Sequence, residues 1–381
     1  MVSIKVSVLN KDNRFGGRNI DVSFGSSSFK TPARTATHRD YFAASSIPHK
    51  ITIENPVSEY VSSFNNPSFD AFLSGNGSYS NRKGRKMTQS VDMMRYFPIM
   101  STIQIPANRY VTQDQLMLFN LFQSYEFDII SIPPFEYKDI NEYEEVVTQF
   151  SDAAKARGQE AMPILPLSTE LDTFKLEFAA LRRLNETGIC NVIGFAYANP
   201  SKHVQQLLEI YSNRKEAIWY HVFGVPRTPR GKSIPVAHIH ELQNWGLDTF
   251  SPEVKDIPYR AIGYLIMKSK TTKPEEVECR RYDSPTLGIF KEPDWIKRYG
   301  HDIHCSCPVC KGKDLSSFKH EFTHDLDGNF DPNLLRSADK VHELASGSEE
   351  FNKSRDAIKS DDLPAYYNIK EFTKGRVNPP R

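Results

Sequence analysis

The sequence has no long apolar run. No window approaches the roughly 18 consecutive apolar residues that a membrane-spanning helix needs. Residues 1–6 (MVSIKV) also lack the apolar core of a signal peptide. We therefore expect a cytoplasmic protein without a membrane partner.

An excess of charge of either sign is also missing, because the formal charge is +1 at pH 7 over 381 residues. Contact with a nucleic acid would therefore depend on a local basic surface. Hydrophobic residues make up 39% and charged residues 25% of the chain, which is typical of a globular protein and not of a disordered one. The length allows two domains, or a single α/β barrel with insertions.

Cysteine is scarce, with five residues in the whole chain. They do not form a disulfide framework, and a reducing compartment keeps thiolates available for a metal. Cys190 and Cys279 stand alone, and we interpret them as small buried apolar side chains. No G-x-G-x-x-G motif follows a predicted strand, so nothing supports a dinucleotide-binding fold.

The part of the chain up to about residue 120 is rich in Ser, Asn, Gly and Pro and has little periodicity. Residues 2–8 alternate like a half-buried strand, whereas residues 64–86 predict a loop. Basic residues cluster at 82–86 in this loop. The cluster is either a solvated turn or a contact to phosphate or bases.

From about residue 127, short apolar runs alternate with helix-like segments. The runs lie at residues 127–132, 161–165, 190–195, 218–223 and 247–250, and the helical segments at 141–157, 169–185, 201–215 and 235–245. A period of roughly 30 residues is typical of successive βα units with a parallel sheet.

Five or more such units favour an α/β fold of the (β/α)₈ TIM-like barrel type, with an open doubly wound sheet as the alternative. In a barrel, chemistry belongs at the C-terminal ends of the strands. We expect Asp248 and residues 133–136, 194–199 and 224–227 to gather there.

The C-x-C-x-x-C pattern of Cys305, Cys307 and Cys310 indicates a metal site, because three thiolates from one turn supply three of the four ligands of tetrahedral zinc. The candidates for the fourth ligand are His301, His304, His320, His324 and His342. His342 lies on a predicted helix, 333–345, that would let it point back at the cysteines. A closed shell of this kind is typical of structural zinc.

These features divide the chain into three predicted parts. Residues 1–300 form the barrel, with an irregular N-terminal part to about residue 120. Residues 301–345 form a zinc-binding subdomain near the C-terminus, and residues 346–381 form a C-terminal helix or tail.

A C-x-C-x-x-C pattern with a later histidine, following a βα barrel of this length, resembles the tRNA-guanine transglycosylase superfamily. This superfamily includes the queuine and archaeosine tRNA-ribosyltransferases and a branch that puts 7-deazaguanines into phage and bacterial DNA. The resemblance covers about residues 127–344, with weaker traces near 31–32 and 74–80. A phage-encoded member would act in the host cytoplasm.

The resemblance implies a zinc-containing pentosyltransferase that exchanges guanine in nucleic acid for a 7-deazaguanine such as preQ₀ or preQ₁. Divergence from the tRNA enzymes favours DNA, which requires flipping the nucleoside out of its stack. Two family turns that hold the base are similar to residues 192–196 (VIGFA) and 222–226 (VFGVP). They imply substrate contacts at Gly194, Phe195 and Gly224.

The family's Gly-x-Asp-x-Phe-Asp run, whose last residue is the nucleophile, resembles residues 246–251 (GLDTFS). Ser251 therefore stands at the nucleophile position, and Asp248 is the nearest carboxylate that could replace it. A carboxylate suits attack on an oxocarbenium-like ribose carbon, giving a covalent ribosyl-carboxylate intermediate, whereas a serine hydroxyl does not. We predict a catalytic role for Asp248.

The family's general base lies in an Asp-Ser-Gly-Gly-like motif, which residues 75–79 (GNGSY) resemble weakly. This similarity implies a substrate contact at Asn76 and a catalytic role for the nearby Asp70. Asp128 and Glu136 compete for recognition of the base.

Two other hypotheses remain open. One is a catalytically silent zinc-binding subunit that binds nucleic acid or pairs with an active homologue. The protein could therefore assemble with a homologous subunit, and the alternative assembly that we expect is a homodimer. The second is an unrelated barrel enzyme that carries a zinc knuckle.

Overall fold

Three antiparallel strands open the chain: β1 (Ile4–Lys11), β2 (Arg18–Phe24) and β3 (Ser27–Lys30). The computed structural model describes residues 4–48, 51, 57–75, 77–94, 98–124, 127–227, 238–254, 273 and 276–374. The strand predicted at 2–8 is present from Ile4 onward. Ile20, Val22 and Phe29 are buried in one apolar cluster with Met162 and Trp219 of the larger sheet.

Nine parallel strand segments form that larger sheet. They are β4 (Ala33–Arg34), β5 (Ala36–Thr37), β6 (Ser58–Ser63), β7 (Ile99–Gln104), β8 (Ile129–Ile132), β9 (Glu160–Pro166), β10 (Val192–Ala196), β11 (Trp219–Val225) and β12 (Thr249–Pro252). Their order is β4-β12-β11-β10-β9-β8-β7-β6-β5.

The two outermost segments of the sheet, β4 and β5, are consecutive in the chain and are separated only by Thr35. The Thr35 N–H donates to the carbonyl of Phe250 in β12, and the Ala36 N–H donates to the carbonyl of Val57 before β6, each at 2.9 Å. The two ends of the sheet therefore meet, and the sheet is nearly barrel-shaped.

Helices follow the strands in chain order, so the fold is mixed α/β. They are α1 (His38–Ser46), α2 (Asn66–Leu73), α3 (Gly77–Val91), α4 (Gln113–Phe122), α5 (Ile140–Lys155), α6 (Leu171–Glu186), α7 (Val204–Ser212) and α8 (His238–Leu242). The segments predicted at 141–157, 169–185 and 201–215 appear as α5, α6 and α7. Within the described ranges, no helix combines the length and apolar character that crossing a bilayer requires.

The prediction of an irregular chain to about residue 120 was wrong, because this part contains β4 to β7 and α1 to α4. The predicted loop at 64–86 contains α2 and most of α3. The Asn65 side chain accepts from the Ser68 N–H at 3.0 Å and so caps α2. In α3, Met87 and Val91 are buried one turn apart while most of the other residues are polar.

The C-terminal part begins with an antiparallel hairpin, β13 (Arg280–Asp283) and β14 (Gly288–Lys291). It continues with α9 (Glu292–Tyr299), α10 (Leu315–Glu321), α11 (Pro332–Lys359) and α12 (Leu363–Asn368). Helix α11 packs against α1, β4 and β13, and it runs without a break across residue 345, where we predicted the end of the zinc-binding subdomain.

Candidate metal centre and sheet interior

The four predicted metal ligands lie together. Cys305, Cys307 and Cys310 are in the loop between α9 and α10, and His342 is on α11. Their sulfur atoms and one ring nitrogen all lie within 4.8 Å of one another. The Cys310 N–H donates to the Cys307 carbonyl at 2.9 Å, which closes the tight turn. The cluster can therefore hold a metal ion.

Distances within the cluster fit zinc. Nδ1 of His342 lies 3.5 Å from Sγ of Cys307 and 3.3 Å from Sγ of Cys310. In a tetrahedral zinc site, with typical Zn–S and Zn–N bond lengths, a ligand nitrogen and sulfur lie about 3.5 Å apart. The donor set, three thiolates and an imidazole, is also one that zinc takes in structural sites.

Neighbouring groups orient the ligands. Nε2 of His342 lies 2.8 Å from the Tyr282 carbonyl, which can only accept, so Nε2 carries the proton and Nδ1 faces the sulfurs with its lone pair. One turn along α11, the Ser346 hydroxyl lies 3.1 Å from Sγ of Cys305. From the hairpin side, Arg281 donates from Nη2 to Sγ of Cys310 at 2.8 Å.

The other candidate histidines have different neighbours. Nδ1 of His301 lies 3.3 Å from the Ser316 hydroxyl, and the ring of His304 packs on Tyr299. The rings of His320 and His324 pack on each other, with centroids 5.0 Å apart.

A buried polar network occupies the interior of the nearly barrel-shaped sheet. Glu59 of β6 and His221 of β11 are fully buried, and because these strands are not neighbours, their contact crosses the interior. Nε2 of His221 lies 3.3 Å from Oε1 of Glu59, and the Thr35 hydroxyl donates to Oε2 at 2.7 Å. On the far side of the ring, Nδ1 of His221 lies 2.9 Å from Oγ1 of Thr249, which also accepts from the Trp219 indole at 2.7 Å.

The network keeps a carboxylate inside the sheet. Burial raises the pKa of Glu59, but the adjacent His221 and the Thr35 hydroxyl outweigh burial, so its pKa lies below the usual value. Ser251 shares the interior face of β12 with Thr249, since the two are two residues apart on a strand. Its buried hydroxyl has no hydrogen-bond partner in the described part of the chain.

Sequence reasoning missed Glu59 and His221. Strand β6 (SEYVSS) contains no apolar run, and its side chains are nevertheless almost all buried. The apolar run at 218–223 predicted β11, but nothing marked His221 as an interior residue.

Asp248 lies at the opposite end of the sheet from the predicted site. It directly precedes β12, and its two carboxylate oxygens accept from Nε and Nη2 of Arg18 at 2.9 and 2.5 Å. Its Oδ2 also accepts from the Tyr220 N–H at 2.7 Å, and both charged side chains are fully buried. We expected Asp248 at the C-terminal ends of the strands, and this expectation was wrong. Its contacts are those of a structural residue.

Three further predicted residues also lie away from the interior. Asp128 precedes β8, and its Oδ2 accepts from the Ile99 N–H at 2.8 Å. Asp70, on α2, is exposed and paired with Arg109 at 2.7 Å. Phe195 points outward, where it packs on the aromatic rings of α6.

Three of the remaining predicted residues lie in the interior or toward the C-terminal ends of the strands. Gly194 is in the interior, where an added Cβ would lie 3.2 Å from Sδ of Met162. Gly224 has a φ of +76° near the end of β11, and Glu136 follows β8 and is exposed. Asn76 lies outside the described residues. The structure therefore brings the metal ligands together but not the predicted catalytic and substrate-binding residues.

A small pocket lies at the C-terminal ends of β8 and β9. Its walls include Pro133, Pro166 and the aromatic ring of Tyr143. Oε1 of Glu177, on α6, accepts from the Tyr137 hydroxyl at 2.8 Å, and burial raises the pKa of Glu177 to about 7.

Neither models of known protein families nor curated proteins gave a match to this sequence.

Proposed function

We propose that the sheet is a (β/α)₈ barrel of the TIM type in which β4 and β5 are two halves of one strand. Parallel pairing between all neighbours, including β12 with β4 and β5 with β6, supports this assignment. Helix α11 follows β12 in the chain and packs against α1 and β4, which is the place of the eighth helix.

We propose that the Cys₃His cluster binds structural zinc. Cys307, Cys310 and His342 are at most 8% exposed, and four protein ligands fill a tetrahedral shell. Zinc bound there would tie the loop after α9 to α11, and so to the barrel.

We propose that the protein is a guanine transglycosylase that exchanges guanine in nucleic acid, preferably DNA, for a 7-deazaguanine. The observation that carries this proposal is the metal cluster itself: a C-x-C-x-x-C loop completed by a histidine on a helix that packs against the sheet. This combination is the one on which the resemblance to the transglycosylases rests.

In this proposal Glu59 replaces the missing nucleophilic aspartate. Thr249 pairs with Ala33 in the register of β12 and β4, so Ser251 lies beside Thr35, whose hydroxyl donates to Glu59. A Glu59 oxygen forms a bond to the ribose C1′ as the bond to guanine breaks, and the leaving base takes a proton. The incoming 7-deazaguanine then displaces Glu59 from C1′ and gives up its ring N–H proton.

The nucleic acid would contact α3, whose Lys83 donates to the carbonyl of Ser63 at the C-terminal end of β6 at 2.8 Å. Arg82, Arg85 and Lys86 are exposed on this helix. Exposed cations near the C-terminal ends of a barrel's strands can bind phosphates without reading sequence.

Exchange of labelled guanine into tRNA and into duplex DNA tests the activity. We expect incorporation into DNA by the zinc-loaded protein, and displacement of the label by preQ₀ or preQ₁. Glu59→Gln should abolish exchange because a neutral amide cannot form the intermediate, whereas Glu145→Gln, an exposed site on α5, should not alter it. No exchange into either nucleic acid would contradict the proposal.

A second candidate function is a catalytically silent subunit that binds nucleic acid or an active homologue. The burial of Glu59 and the structural contacts of Asp248 favour it. It predicts no exchange, together with binding that weakens when Arg82, Arg85 and Lys86 are replaced by alanine. The plot of log affinity against log salt concentration has a negative slope, and its magnitude should decrease by about two to three, as expected for the loss of three phosphate contacts. Unchanged binding by this triple variant would contradict that role for α3.

A further inference from the structure

Arg281 is a buried cation whose hydrogen-bond partner is a sulfur of the metal cluster. Its side chain is fully buried against the rings of Phe318, at 4.4 Å, and Trp295, at 5.3 Å. Nη2 donates to Sγ of Cys310, while Nε and Nη1 have no hydrogen-bond partner among the described residues. A buried guanidinium needs a nearby anion. Three thiolates and an imidazole around zinc carry a net charge of about −1, so the metal centre would be the anion that balances Arg281.

The three sulfurs of the cluster differ in accessibility and in their hydrogen bonds. Cys310 is 1% exposed and receives the charged donor, and Cys307 is 8% exposed. Cys305 is more exposed than either, and the donors near it, the Ser346 hydroxyl and the Cys307 N–H, are neutral. A charge-assisted hydrogen bond is stronger than a neutral one and withdraws more electron density from a thiolate.

The geometry points to Cys305 as a modification site, the thiolate of the metal centre that soft electrophiles attack first, and to Arg281 as the residue that protects Cys310. With a maleimide, the Cys305 sulfur forms a carbon–sulfur bond to one alkene carbon. The electron pair of the double bond moves to the other alkene carbon, which takes a proton from water and leaves hydroxide, and no part of the maleimide is expelled. The thioether that forms has lost the negative charge of the thiolate and is a poorer ligand. This inference does not depend on base exchange.

Limited labelling of the zinc-loaded full chain with N-ethylmaleimide tests the order of attack. We expect Cys305 to be labelled first, as read by peptide mass spectrometry, and zinc to appear in a chromogenic chelator with the same time course. The buried Cys190 and Cys279 should stay unlabelled and so report that the protein remains folded. Labelling of Cys307 or Cys310 first, or of all three at one rate, would overturn the assignment.

Arg281→Met tests the protective contact. The rate at which Cys310 is labelled should rise by about tenfold, which corresponds to about 1.4 kcal/mol. Arg281→Lys keeps a charge and should give a smaller increase. The matched control is Arg280→Met, an exposed site on the same strand, which should leave the rate unchanged. Labelling of Cys190 or Cys279 in Arg281→Met would mean that this variant is misfolded. The test then rests on Arg281→Lys. If Cys310 is labelled in Arg281→Lys at the wild-type rate, Arg281 does not protect this thiolate.

Discussion

Glu177 shows how one buried carboxyl group makes stability depend on pH. It is 7% exposed at the pocket beside β8 and β9, and burial raises its pKa to about 7 from a usual value of 4.5. The folded protein therefore binds this proton more tightly than the unfolded chain does. The contribution of Glu177 to stability is complete below about pH 4.5 and is lost as the pH rises through about 7.

We predict that Glu177→Gln removes this loss. Glutamine keeps an acceptor for the Tyr137 hydroxyl but does not ionise, so the variant should gain stability over the wild type by about 2 to 3 kcal/mol between pH 5 and pH 8. Denaturant unfolding of both proteins at several pH values measures the difference in their free energies of unfolding. The contributions of all other titrating groups are the same in both proteins and cancel in this difference. Glu186→Gln, near the exposed end of the same helix, is the control. A difference that stays constant with pH would contradict the assigned pKa.

The positions of strand ends decided where the site prediction failed. Asp248 was expected at the C-terminal end of its strand, but β12 begins one residue later, at Thr249. The apolar run at 247–250 shows that a strand is present without fixing where it starts, and Leu247 is buried before the strand begins. Partners such as Arg18, 230 positions away, leave no local signal in the sequence.

At the scale of elements, periodicity predicted the amphipathic helices and missed the polar ones. Helix α6 buries Phe174, Phe178 and Leu181 at helical spacing, so its pattern was visible. Helix α3 and strand β6 lack such a pattern, because α3 is mostly polar and β6 directs Glu59 into the interior. All four residues of the metal cluster were predicted, since the three cysteines lie within six positions of the sequence and only His342 is distant.

Helix α11 links the metal cluster to the nearly barrel-shaped sheet, so we predict that metal removal destabilises the sheet and its helices as well as the loop that carries the cysteines. This helix carries His342 and packs against α1 and β4. Removing zinc with a chelator should lower the free energy of unfolding by several kcal/mol, on the order of 5. Circular dichroism and tryptophan fluorescence should report the same shifted transition.

Two variants sharpen this test of the metal's role. Cys307→Ser should resemble the chelated protein and should no longer respond to chelator. Cys190→Ala, a buried cysteine outside the cluster, should still respond. A chelator that leaves the unfolding transition of the wild type unchanged would contradict the role of the metal in holding α11.

At the scale of the whole molecule, the two ends of the sheet differ in what covers them. The antiparallel sheet of β1, β2 and β3 covers the N-terminal end, with Phe29 packed edge-on against Trp219 at 5.2 Å between ring centroids. The pocket beside Glu177 lies at the other end. At the same end, Lys83 of α3 donates to the carbonyl of Ser63, the last residue of β6, at 2.8 Å. Stability and ligand access are therefore expected to depend on different ends of the molecule.

Variants of the buried pair Arg18 and Asp248 test whether stability depends on the N-terminal end of the sheet. This pair joins the covering sheet to the start of β12. Asp248→Asn leaves the Arg18 charge buried without an opposite charge, although its guanidinium still donates to backbone carbonyls such as that of Ile218. The variant should therefore lower the free energy of unfolding by about 3 to 5 kcal/mol. The double variant Arg18→Met with Asp248→Asn should lose less than the sum of the two single variants, since no unpaired charge remains. Asp21→Asn, on the same strand as Arg18, is the control and should change stability by less than about 0.5 kcal/mol.

Any base exchange or nucleic-acid binding should persist in Asp248→Asn when it is expressed per folded molecule. Loss of exchange with unchanged stability would instead return Asp248 to a catalytic role.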